Sequence, residues 1–430
     1  MKNLFLLVSS LLFVVFAKSQ PNDFIHTEGK YILGPCNDTL TLRGVNYAPY
    51  NWGYTLSDLK VDEIEQSGAN AVRIVWYADN PGATIYADYV ALDSAISKCV
   101  QADMIVILEL HDFTCTNDHP GLITNSDWFI SAPVLTVINK YKHSVIVNVA
   151  NESLFVEWTG DATLALANYK TTYQTIITNL RAVSGFDFPI MIDAPDCGQN
   201  SDAFITSSLA TDLIAFDPEQ NLIFSAHAYW YGYASNDSLQ MATKLNAILA
   251  AEIPFVVGEI ANQHDDVTMC QYNLNYQPLL NYCEQNEVSW LAWVWDHDLC
   301  ADRQVSSTGN FVNLTTYGDD IVNNSVYGLS VNTVRSEYLV NNGCLPVASL
   351  DVQLKNEAFT LFPNPSSGQF SIKNVESFSN VWATDLQGNK LELTQINSST
   401  FGFENSSAGI YLIHLTDFSG NVIIQKIVVN

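Results

Sequence analysis

Two glutamates stand where the breaking of a glycosidic bond would need them. Glu152 follows Asn151 at the end of one apolar run, and Glu259 follows Val256-Val257-Gly258 at the end of another. That reaction takes one carboxylic acid to protonate the leaving oxygen and one carboxylate to attack the anomeric carbon or activate water. Other polar residues end neighbouring runs: Arg73, His111, Asn151, His227 and Tyr229. Arg73 and Tyr229 are expected to hold Glu259 ionised through charge and hydrogen bonding, whereas Glu152 needs a raised pKa to arrive protonated. Asn151 is suited to bind a sugar 2-hydroxyl, and a carboxyl separation of about 5 to 5.5 Å means retention of configuration. Trp52, Trp76, Trp158 and Trp230 are expected at the same face, where a flat ring stacks on a sugar; Trp128 is a weaker candidate. Trp293 and Trp295 share a later run, with either one left to face the sugar. Trp290 alternates away from both, toward outer helices.

Positioning these groups needs parallel strands that end on one face. Short apolar, β-branched runs at 39–47, 70–76, 104–111, 144–151, 189–193, 221–227, 254–259 and 289–295 read as strands. Helical patterns at 58–67, 86–100, 162–183, 238–251, 274–286 and 331–340 separate or follow them. This alternation predicts an α/β fold, a (β/α)8 TIM barrel, whose site lies at the C-terminal strand ends. No Gly-rich dinucleotide loop follows the first run, where Gly44-Val45-Asn46 stands instead.

Composition narrows the partners. Lys plus Arg number 18 against 45 Asp plus Glu, a formal charge of -27, which repels nucleic acid and suits a neutral substrate. Cysteines occur at 36, 99, 115, 197, 270, 283, 300 and 344 with no C-x-x-C pair, so neither a zinc nor a redox motif is supported. Their spacing from 270 to 344 suggests local bridges. No metal and no cofactor are expected: His111 and His227 lack a close-spaced partner ligand, and this hydrolysis needs no ion. Absence of G-x-S-x-G disfavours a serine esterase, and His264-Asp265-Asp266 reads as a solvated loop.

Together these residues resemble glycoside hydrolase family five over roughly residues 25 to 343. Leu42-Arg43-Gly44-Val45-Asn46-Tyr47, Asn70-Ala71-Val72-Arg73-Ile74, Leu108-Glu109-Leu110-His111-Asp112-Phe113-Thr114, Val147-Asn148-Val149-Ala150-Asn151-Glu152 and Leu291-Ala292-Trp293-Val294-Trp295 are most similar to its bacterial endo-β-1,4-mannanases. The resemblance implies Glu152 as acid/base and Glu259 as nucleophile, with Arg73, His111, Asn151, His227, Tyr229 and a Trp of the eighth strand around them. It departs at Ser153, where Trp or Pro is usual, and at Cys197, where those mannanases tend to carry Trp. Mannan is the first substrate implied, β-1,4-glucan the second, and a non-catalytic glycan-binding barrel is the rival reading.

The two ends carry different signals. Residues 1–19, a charged start followed by a short apolar stretch, read as a secretory signal peptide, and no later run is long enough to span a membrane. The barrel is expected over 20–345, a linker over 346–357 and a small β-sandwich over 358–430, from short alternating strands between turns. Leu361-Phe362-Pro363-Asn364-Pro365 with Gly368, Asp385-Leu386-Gln387-Gly388, Gly409-Ile410-Tyr411 and Lys426-Ile427-Val428-Val429 resemble the type IX secretion sorting domain. A carbohydrate-binding module is the alternative. The resemblance implies export through the periplasm by the type IX machinery to the medium or cell surface.

Overall fold

Strands that are apolar on both faces need cover on both, which a closed parallel sheet inside a ring of helices supplies. A computed structural model describes residues 24–50, 59–78, 88–229, 238–264, 272–344, 359–373, 378–385, 389–404, 407–416 and 422–429 of the protein. The signal segment, Trp52, Trp230, the linker, the tip of the Asp385 turn and most of the acidic loop after His264 lie outside the described residues. The chain divides into two compact units at Leu345/Pro346.

The first unit opens with an antiparallel hairpin, β1 (His26–Glu28) and β2 (Tyr31–Leu33). Eight parallel strands follow: β3 (Arg43–Tyr47), β4 (Ala71–Trp76), β5 (Ile105–Leu110), β6 (Val145–Asn148), β7 (Ile190–Asp193), β8 (Leu222–His227), β9 (Phe255–Ile260) and β10 (Ser289–Ala292). They close in sequence order, β10 pairing with β3. Inward side chains Ala71, Ile105, Ile107, Ile146, Met191, Ile223, Val256 and Leu291 form one cluster, which Ile25 and Ile32 join from the hairpin side. Outward side chains such as Val72, Ile74 and Leu108 pack with the helices in a second, larger cluster.

Helices Tyr89–Gln101, Ala162–Arg181, Ser238–Ala250 and Tyr276–Gln285 fall where the periodicity places them. Asp88 and Asp161 cap two of them by accepting from Ala91 N and Leu164 N, both at 3.0 Å. Among the described helices that escape the sequence pattern are His119–Ser126, Ala132–Ile138 and Leu209–Phe216. Each is only two turns long, too short for a periodicity to declare itself. The pattern at 331–340 resolves into two short helices, Leu329–Asn332 and Glu337–Asn341, and the longer one after β10 is Thr316–Asn323.

The expectation of local bridges from 270 to 344 is corrected at two positions. Cys344 pairs with Cys36 across 308 residues, because closure of the barrel brings the two ends of this unit together; Cys283 is a free, buried thiol. Cys115 pairs with Cys197, and Cys300 is also disulfide-bonded.

The second unit has two four-stranded antiparallel sheets. One is β11 (Thr360–Phe362), β12 (Gln369–Lys373), β16 (Thr400–Phe403) and β15 (Leu393–Gln395). The other is β14 (Lys390–Leu391), β13 (Asn380–Thr384), β17 (Gly409–Thr416) and β18 (Val422–Val429). Phe359, Phe370, Phe401, Tyr411, Ile413 and Ile427 share its core, the pattern of a small β-sandwich. Among the described residues no helix is long and apolar enough to cross a membrane.

Candidate active site

Arg73 organises the mouth of the barrel. It is the third residue of β4, so the strand's two-residue period points it inward with Ala71 and Val75. Its five N–H groups are all used: Nε donates to Asn148 Oδ1 at 2.8 Å, Nη1 to Asn46 Oδ1 at 3.0 Å and Glu259 Oε1 at 2.7 Å, Nη2 to Asn151 Oδ1 at 2.7 Å and Asp193 Oδ2 at 3.1 Å. The guanidinium is fully buried. Burial alone disfavours its charge, but the carboxylates of Glu109, Asp193, Glu259 and Glu152 outweigh that and raise its pKa.

The two glutamates lie close together on this frame. A carboxylate oxygen of Glu152, one of Glu259 and a ring nitrogen of His227 all fall within 4.8 Å of one another. His227 Nδ1 is 2.6 Å from Glu152 Oε1 and 3.5 Å from Glu259 Oε1. Burial lowers the His227 pKa, while the carboxylates of Glu259 and Asp193 act to raise it. Tyr229 OH donates to Glu259 Oε2 at 2.7 Å. These contacts are the ones expected of Arg73 and Tyr229, yet they do not win. Burial pushes the Glu259 carboxyl up to about 7, and nearby Glu152 adds to the rise, against His227 and Arg73, which hold it down.

The loops around Glu152 are tightly built. Its N–H donates to Asp193 Oδ2 at 3.3 Å, and its φ is +49°. Ser153, where the family resemblance implies Trp or Pro, turns inward and donates to Phe113 O at 2.9 Å. Gly198, at φ +75°, lies so close that a Cβ there would sit 2.9 Å from the His227 ring and 3.0 Å from Glu152 Cγ. Only glycine meets both conditions at once.

The aromatic residues divide. Trp293 is 7 % exposed, stacks on His111 at 6.1 Å with 15° between planes, and donates from Nε1 to Asp298 Oδ2 at 2.6 Å. Trp295 is wholly buried and donates to Gly309 O at 2.8 Å, so it belongs to the core. Trp76 is also corrected: it alternates outward from Arg73 and packs edge-on to Tyr50 at 5.7 Å among the helices. Trp128 is packed against that same core, and Trp290 lies in it, as alternation requires. Trp158 is 55 % exposed and rests on Phe155 at 5.4 Å.

Glu109 and Asp193 carry charge to which the sequence pattern alone assigns no role. Glu109 is fully buried, 3.2 Å from His111 Nδ1 and 3.8 Å from Arg73 Nη1. Burial lowers the His111 pKa, but Glu109 overcomes it and the net direction is up. The signal is present in the chain: an acid at an inward position of an otherwise apolar strand needs a buried cation. Among the described residues, Glu152, His227 and Glu259 are also three whose atoms lie near enough to hold a metal ion. Both oxygens of Glu259, however, already accept from Arg73 and Tyr229.

Comparison with known proteins agrees with this geometry. Residues 35–298 match the family described as Cellulase (glycosyl hydrolase family 5), and residues 360–430 match the secretion system C-terminal sorting domain. A mannan endo-1,4-beta-mannosidase of Salipaludibacillus agaradhaerens is 26% identical over 270 residues, 63% of this chain and 80% of that protein. Another, of Streptomyces lividans, is 26% identical over 306 residues, 69% of this chain and 73% of its own. The crystal structure of a beta-mannanase from Streptomyces thermolilacinus with mannohexaose shares the fold at a TM-score of 0.63, with 23% identity over 74% of this chain and 98% of that one. The tail is thus a sorting domain of a secreted or cell-surface protein. With the family match spanning more than half of its length, the chain belongs to glycosyl hydrolase family 5.

Proposed function

We propose that this protein is a retaining endo-β-1,4-mannanase in which Glu259 is the nucleophile and Glu152 the acid/base. The observation that carries this reading is the approach of the two carboxylates to within 4.8 Å. That is near the roughly 5 to 5.5 Å of direct attack and short of the roughly 6.5 to 9.5 Å that accommodates an attacking water beside the sugar, which suits double displacement. Glu259 attacks the anomeric carbon while Glu152 protonates the leaving oxygen; Glu152 then takes a proton from water, whose oxygen displaces Glu259. Arg73 steadies the anionic Glu259, His227 orients Glu152, Asn151 faces the 2-hydroxyl, and Trp293 with His111 forms a sugar platform. Mannan as substrate rests on the relatives named above. Recognition of the tail by the type IX machinery, after passage through the periplasm, is part of the same proposal.

Reducing-sugar release from mannan, glucomannan, cellulose, xylan and mixed-linkage glucan tests the substrate. Mannan should be cleaved fastest; a preference for cellulose would make the protein an endoglucanase. Glu152→Gln and Glu259→Gln should each lower kcat on mannan by about 10³-fold or more with the fold intact. Near wild-type turnover by either variant refutes its role. Proton NMR of the first product should show the β-anomer, and initial α-anomer excludes double displacement.

A further inference from the structure

The loops after β5, β6 and β7 are joined around Glu152 by more than chance packing. Cys115 N donates to Glu152 O at 3.2 Å, Leu154 N to Thr116 O at 2.7 Å and Asp196 N to Leu154 O at 2.9 Å. The buried Asp196 carboxylate accepts from Val156 N at 2.8 Å, Glu157 N at 3.0 Å and Trp158 N at 3.2 Å. Across the top of this lattice the Cys115–Cys197 disulfide ties the first loop to the third. Cys115 Sγ lies 3.5 Å from Glu152 Oε2, on the far side of the carboxyl from His227, which holds Oε1 at 2.6 Å. A disulfide sulfur has no proton to donate, so this contact is steric. The residues that bend the chain here, Cys115, Glu152, Leu154, Asp196 and Cys197, all have positive φ between 49° and 71°. A backbone of that kind persists only where its surroundings over-determine it.

We infer that Cys115 and Cys197 are positioning residues for the reaction: their disulfide holds the Glu152 carboxyl against His227 at the angle proton transfer requires. The inference rests on the reading of Glu152 as acid/base. Its consequence is specific, because a misplaced acid harms departure of a poor leaving group and spares a good one.

The test is a Cys115→Ala/Cys197→Ala variant of the full chain, assayed on mannan and on a dinitrophenyl β-manno-oligosaccharide, beside Glu152→Gln. With the acid loosened, kcat on mannan should fall about 10- to 100-fold. Release of dinitrophenolate in the first step should change less than about threefold, since that anion departs without a proton. Azide, which needs no general base, should speed turnover of the aryl substrate by attacking the glycosyl-enzyme: a C–N bond forms, the bond to Glu259 breaks, and a β-glycosyl azide is released. A Cys36→Ala/Cys344→Ala variant, which loses a bridge on the hairpin side of the barrel, should show neither effect. Equal losses on both substrates, or none, overturn the inference. If Glu152→Gln itself lacks the leaving-group dependence, the acid/base reading fails instead. Cys115 is exposed. Phosphine reduction of the folded enzyme, with alkylated cysteines mapped by mass spectrometry, therefore makes the same comparison should the alanine pair not fold: mannan activity lost selectively supports the clamp, and activity unchanged with both thiols alkylated overturns it.

Discussion

Glu259 is under opposing pressures, burial raising its pKa while His227 and Arg73 lower it. If Glu259 is the nucleophile, as proposed, it must be ionised to act; burial raises this carboxyl to about 7, so protonated, inactive enzyme should accumulate as pH falls below that value. We predict that kcat/KM falls on the acidic side with a midpoint near 7. Glu152→Gln removes the ionisable neighbour that adds to this rise and should move that limb to lower pH, measured with a dinitrophenyl substrate. Tyr229→Phe deletes a hydrogen bond of 2.7 Å to the Glu259 anion, so it should move the limb upward. It should also cost about 1–3 kcal/mol of transition-state stabilisation, roughly 5- to 150-fold in kcat/KM. A limb that shifts the same way in both variants contradicts the assignment of this ionisation to Glu259.

At the scale of the strand, one rule sorts residues that composition cannot. Arg73 and Trp76 lie three positions apart on β4, and a period of two sends them to opposite faces. Trp76→Ala should therefore leave KM alone and lower stability by about 3–5 kcal/mol, read by denaturant unfolding. Trp293→Ala should do the reverse, with KM raised about two- to tenfold and a smaller change in stability. For Trp76 the alternation is legible in the amino-acid sequence itself, because Arg73 marks the inward face three positions earlier. For Trp293 and Trp295 it is not. The strand β10 ends at Ala292, and beyond a strand end the rule has no force.

For the whole molecule, the Cys36–Cys344 bridge decides where the chain can be cut. It closes a loop with a sequence separation of 308, and such a link stabilises by about 2–4 kcal/mol, chiefly through the unfolded state. A truncation ending at Leu345 keeps Cys344 and should retain specific activity on soluble substrates; one ending before Cys344 should melt earlier. Without the tail, secretion by the native host should fail. Loss of polysaccharide binding on removal of the tail, with short oligosaccharides still hydrolysed, makes the second unit a binding module as well.

Much of this protein is legible in its chain. Eight apolar runs alternating with helical patterns determine a barrel, since strands buried on both faces have few other homes, and the break in pattern after Cys344 announces a second fold. The residues Arg73, Glu152, His227, Tyr229 and Glu259 can be picked out because a barrel gathers strand ends on one face. Their mutual geometry cannot. Which carboxylates surround Arg73, that Glu109 and Asp193 are among them, and that burial outweighs Arg73 at Glu259 all depend on distances between residues far apart in sequence. The pairing of Cys36 with Cys344 and of Cys115 with Cys197 is of the same kind. Periodicity is a property of neighbours along the chain and can be read from it, whereas desolvation and contact are properties of neighbours in space, which only the folded barrel defines.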